Sequence, residues 1–182
     1  MKRILLLLFL SFWLTTATAQ KNEIQWLDLE TAVAAQKTVP KKIIMDVYTT
    51  WCGPCKYLDK FTFQNPDVIE YINENYYAVK FNAEGNEVIT YREATYSNPG
   101  FDPSRTGRNS QHQFAQTLNI SVYPTIVFFN ENADPLMPIK GYKTPSQLEL
   151  YLKFFRNDDH LRVNSKEEWL QYQRAFVPVF TN

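Results

Sequence analysis

Trp51-Cys52-Gly53-Pro54-Cys55 holds both cysteines of a 182-residue chain. Two cysteines three positions apart, with no others present, are used on each other. Upstream, Ile43-Ile44-Met45-Asp46-Val47-Tyr48 is an apolar, β-branched run that reads as a buried strand. Downstream, Pro54 suits the first turn of a helix, where its missing N–H costs nothing. The pair therefore sits where a strand feeds a helix. A cysteine at a helix start faces the positive end of the helix dipole and free backbone N–H groups. Both favour the thiolate, which is the nucleophile. The i, i+3 spacing puts Cys55 on the same helix face and brings the two Cα atoms within disulfide range. One thiol can attack a disulfide and the other can resolve the mixed disulfide. Two alternatives stay open here. A permanent staple is one, although so small a loop hardly constrains the unfolded chain. A zinc site is the other, although only His112 and His160 remain to complete four ligands, far apart in sequence. Each histidine by itself reads as a surface residue.

The N-terminus reads as a secretory signal peptide over residues 1–19: Lys2 and Arg3, an apolar run over 4–14, then Ala17-Thr18-Ala19. The alternative is an uncleaved anchor, for which the apolar run is short. The whole chain has 19 Lys plus Arg and 19 Asp plus Glu; beyond residue 19 the balance is 17 to 19. No basic run is interleaved with aromatics, so nucleic acid is not an expected partner. No cofactor or metal is expected. Residues 20–155 read as one domain, and 156–182 as a helical extension that packs on the body rather than a dimerisation arm. A monomer is expected.

Helices are predicted over 29–37 behind the cap Asp28, from Pro54 onward, and over 67–75 behind Asn65-Pro66. A strand follows over 77–81. Residues 83–109 have no steady period and read as an insertion, with a short hairpin over 88–96. Ser110-Gln111-His112-Gln113 reads as a capping box opening a short helix to 118. Strands are predicted over 125–130 and 139–142. Thr144-Pro145-Ser146-Gln147 and Ser165-Lys166-Glu167-Glu168 cap two more helices, to 155 and 175, and 176–180 is an apolar tail that packs back. The order β-α-β, a long connection, then two strands and a helix predicts an α/β fold with a mixed sheet flanked by helices.

Asp46 is the odd residue of its strand, since an isolated buried charge is costly. Either it faces solvent at the strand end, or it is a buried carboxyl of raised pKa that exchanges a proton near Cys55. Lys80, in the neighbouring strand, is its possible partner or else a solvent-facing lysine. Pro124 precedes an apolar strand, as a rigid turn or a cis bond.

Together these residues resemble the thioredoxin superfamily, over about Trp26 to Phe155. Trp51-Cys52-Gly53-Pro54-Cys55 is similar to its active-site motif, Asp46 to its buried aspartate, Lys80 to that residue's partner, Pro124 to its cis-proline and Gly141 to a glycine of its last strand. The run 55–68 is similar to exported members such as the C-terminal domain of the membrane thiol reductase DsbD. In that branch an acid at the position of Asp59 lies near the sulfurs; its alternative is a solvated helix carboxylate. The resemblance implies a thioredoxin fold and thiol–disulfide oxidoreductase activity. It implies that Cys52 attacks, Cys55 resolves, Asp46 assists with the proton and Trp51 covers the sulfurs. Gly53, Pro54, Tyr123 and Pro124 would line the substrate groove. Implied partners are disulfide-containing proteins and a membrane-bound electron donor, in the periplasm if the source is a Gram-negative bacterium. The Gly-Pro dipeptide favours the reducing direction; oxidase, isomerase and non-catalytic binding module are the alternatives. Tyr123 is bulkier than the usual residue before the cis-proline, and the 83–109 connection is longer than in a minimal thioredoxin.

Overall fold

The computed structural model describes residues 23–182, so the expected signal peptide lies outside the described residues. Chain order is β1 (Trp26–Leu27), α1 (Leu29–Gln36), β2 (Lys42–Tyr48), α2 (Gly53–Tyr57), α3 (Pro66–Asn75), β3 (Tyr76–Asn82), β4 (Ile89–Tyr91), β5 (Ala94–Tyr96), α4 (Gln113–Thr117), β6 (Thr125–Phe129), β7 (Pro135–Lys140), α5 (Pro145–Arg156) and α6 (Lys166–Ala175). A π turn over Leu58–Thr62 continues α2. Five strands form one sheet in the order β1-β3-β2-β6-β7, and β4 and β5 form a separate hairpin. β1 and β2 run parallel to β3, while β6 and β7 are antiparallel additions. The mixed α/β sheet with helices on both faces is as expected.

Alternation along β2 sorts its side chains onto two cores. Ile44 faces Leu58, Val68, Ile72, Leu148, Leu152 and Phe155, under the π turn, α3 and α5. Ile43, Met45 and Val47 face Leu29, Ala32, Phe114 and Ala115, under α1 and α4. Asp46 has the parity of Ile44 and therefore lies beneath the α2 side. The central position of β2 explains its continuous apolar run: it is covered on both faces.

Three local readings change. β7 starts at Pro135 rather than 139 and ends at Lys140. Prolines at 135 and 138 argue against a central strand, but β7 is an edge strand, where a missing N–H is tolerated. Ser110 does not cap α4: its hydroxyl donates to the Gly100 carbonyl at 2.7 Å. The cap is His112, whose Nδ1 accepts from Phe114 N at 3.0 Å. His112 is also not a surface residue. It is 0 % exposed, edge-on to Phe81, with its Nε2 2.8 Å from the Glu87 carbonyl. Since Nδ1 accepts, Nε2 carries the proton.

The apolar tail lies on α3 and α5. Phe180 meets Tyr71 edge-on, and the N–H groups of Val179 and Phe180 both donate to the buried Glu149 carboxylate at 2.8 Å. Among the described residues no helix is long and apolar enough to cross a membrane.

Candidate active site

β2 ends at Tyr48, and the chain turns through Thr49 and Thr50 into α2. Cys52 is the N-cap of α2, its N–H donating to the Thr49 carbonyl at 3.2 Å. Its sulfur accepts from the backbone N–H of Cys55 at 3.1 Å. Cys52 and Cys55 are joined as a disulfide with Cα atoms 5.3 Å apart, and are 2 % and 3 % exposed. A sulfur that already accepts an N–H at a helix start is held where negative charge is favoured. Pro54 occupies the first turn.

Asp46 lies opposite Lys80 on β3 and Ile126 on β6. It is 1 % exposed, so it does not face solvent at the strand end. Lys80 Nζ stands 3.9 Å from Asp46 Oδ2 and makes its closer ion pair with Asp59. The ammonium also sits over the rings of Trp26 and Tyr48, at 5.2 and 5.3 Å. Lys80 is thus shared between two carboxylates. Burial pushes the Asp46 carboxyl up from 3.8 to about 7; Lys80 opposes that rise and Asp59 adds to it. Asp46 Oδ1 has no hydrogen-bond partner among the described residues, which suits a neutral carboxyl better than an ion.

The Tyr123–Pro124 bond is cis. The Pro124 carbonyl accepts from Gly141 N at 2.8 Å, and Gly141 has φ +79°, a conformation that favours glycine. Tyr123 meets Trp51 edge-on with ring centres 6.1 Å apart. Gly53, at the mouth of α2, is exposed. His160 lies apart from the cysteines, against Phe154 and Phe155.

Four residues that sequence reasoning missed hold Trp51, Tyr123 or their partners. Glu84 Oε2 accepts from Trp51 Nε1 and from Asn109 N, both at 2.7 Å. The Arg108 guanidinium carbon is 4.4 Å from the Trp51 ring centre. Gln111 Nε2 donates to the Tyr123 hydroxyl at 3.2 Å. Glu84 was findable, because β3 runs parallel to β2 and a carboxylate just past its end falls beside the motif. Arg108 and Gln111 carry no local signal.

A family model for a thioredoxin-like domain matches residues 27–156. The chain belongs to the thioredoxin-like family. The bonded Cys52–Cys55 pair, at the start of α2, lies within the matched residues. Among curated relatives, the thiol:disulfide interchange protein DsbD of Photorhabdus laumondii subsp. laumondii is 25% identical over 159 residues, covering 83% of this chain and 22% of that protein. The chain spans between 11% and 22% of the length of these curated relatives. A thioredoxin-fold protein from Helicobacter pylori superposes with a TM-score of 0.56 at 16% identity, covering 80% of this chain and 94% of that one. A thioredoxin from Thermus thermophilus gives 0.54 at 12% identity, covering 73% and 87%. These two structures share the thioredoxin-like fold.

Proposed function

We propose that this protein is an exported reductase of protein disulfides, cycling between a Cys52/Cys55 dithiol and the disulfide. The observation that carries the proposal is the Cys52 sulfur at the N-cap of α2, bonded to Cys55; the buried Asp46 carboxyl, on the face of β2 that lies under the π turn continuing α2, supports it. The Cys52 thiolate attacks one sulfur of a substrate disulfide, and the other substrate sulfur leaves as a thiolate that takes up a proton. Cys55 gives its proton to the Asp46 carboxylate and attacks the Cys52 sulfur. The second substrate sulfur leaves as a thiolate that takes up the proton from Asp46, and two electrons have passed to the substrate. A carboxyl of pKa about 7 can take that proton at neutral pH, where an ordinary aspartate is too weak a base. Lys80 and Asp59 set the charge around it. Trp51, Gly53, Pro54, Tyr123 and Pro124 form the surface against which an extended substrate segment lies.

Lys2, Arg3 and the apolar run after them support export, with cleavage after Ala19. In an oxidising compartment such a reductase needs a dithiol donor, for which a membrane-borne electron carrier is the proposed source. The DsbD resemblance supports both points. Insulin disulfide reduction with dithiothreitol as donor tests the activity. The wild type accelerates it and Cys52→Ser abolishes the acceleration. Equal rates with and without Cys52 would leave a non-catalytic binding module.

A further inference from the structure

The 83–109 insertion ends on the active-site tryptophan, and its end is fastened there. Asn109 Oδ1 accepts from Asp102 N at 2.9 Å, and its amide donates to the Asp102 carbonyl at 2.8 Å. The buried Asn98 amide donates to the carbonyls of Gly85 at 2.9 Å and Ser110 at 2.7 Å, closing the base of the loop. Asn109 N is held by the same Glu84 oxygen that holds the Trp51 indole. Arg108 is thereby fixed one residue from a locked position, with its guanidinium against the ring beside Cys52.

A guanidinium uses its face to stack and carries its N–H donors in its plane. Stacking on Trp51 therefore leaves those donors free for a carboxylate, which they suit in a bidentate fork. Arg108 is exposed, and among the described residues no carboxylate lies within ion-pair distance of it. Arg105, three residues before it, is already paired with Asp102. Glu84, which holds the same indole, spends its Oε2 on the Trp51 and Asn109 N–H groups.

From this we infer that Arg108 determines substrate specificity, favouring extended segments with an acidic side chain next to the reacting cysteine. The inference rests on the reductase reading above and adds its substrate class. A packing role for Arg108 would shield Trp51 by shape and treat substrates of either charge alike. A charge filter weakens with salt and inverts with the sign of the side chain.

The test uses three synthetic peptides with one intramolecular disulfide, identical except for paired Asp, Ser or Lys beside the cysteines. The second-order rate of reduction by the pre-reduced protein is measured at low and high salt. Wild type favours the Asp peptide over the Lys peptide by about threefold to tenfold at low salt, with less preference at high salt. Arg108→Met brings the ratio close to one, and Arg108→Glu inverts it. Reduction of all three peptides with the same ratio in wild type and Arg108→Glu overturns the inference alone. Failure of wild type to reduce any of them overturns the reductase reading and the inference together.

Discussion

Asp46 is the residue on which structure and chemistry meet most closely. Its folded pKa of about 7 lies above the ordinary 3.8, so between these values the folded chain keeps a proton that the unfolded chain has released. The stability this contributes is fully present below about pH 4 and is lost as pH rises through 7. Asp46→Asn keeps a neutral polar group there at every pH. The oxidised variant should therefore exceed wild type in unfolding free energy at pH 8, by about 2–4 kcal/mol, and match it near pH 4. Denaturant melts at the two pH values check this; equal stability at pH 8 would mean that Asp46 is charged without penalty. The same substitution should slow turnover by roughly a hundredfold and flatten its pH dependence near neutrality, the low end of what a positioned acid or base contributes. Asp46 was legible in sequence because one acid in a fully apolar strand has few explanations. Arg108 was not, because a loop arginine looks the same whether it meets solvent or an indole. His112 was misread for a related reason: its ring packs against Phe81, which comes from β3, 31 residues earlier.

Among the elements, β2, β3, α3 and α5 were readable because each carries its own period and caps. Asn65 accepts from Asp67 N and Val68 N, and Thr144 and Gln147 form a reciprocal capping box. β1 has two residues and leaves no pattern to read. β7 was misplaced because its two prolines signal a loop unless the strand is known to be an edge. In the insertion the hairpin over 88–96 was legible and is present as β4 and β5, while the rest read only as irregular sequence; one of its anchors is His112, whose ring meets the Glu87 carbonyl. Replacing His112 by Ala removes the cap from α4 and leaves the Glu87 carbonyl without its partner. The expected cost is about 2 kcal/mol. His112→Ala should also become sensitive to limited proteolysis between Gly85 and Asn109 under conditions where wild type resists. An unchanged cleavage pattern would show that the insertion is held without His112.

At the scale of the whole molecule, the C-terminal extension is proposed as a packing element. Its tail engages Glu149, while Thr181 N donates to Asp67 and Asn65 donates to the Thr181 carbonyl. Removing residues 176–182 withdraws two backbone donors from a buried carboxylate and should cost about 1–3 kcal/mol, lowering the melting midpoint by several degrees. Sedimentation should give a monomer both with and without those residues; loss of a dimer on truncation would assign the extension to assembly. The central claim concerns the molecule as a reductant, and the most direct measurement is the reduction potential of the Cys52–Cys55 pair, by equilibration with glutathione. The account predicts a value near that of thioredoxin, about −270 mV, and a value near that of DsbA, about −120 mV, would contradict it.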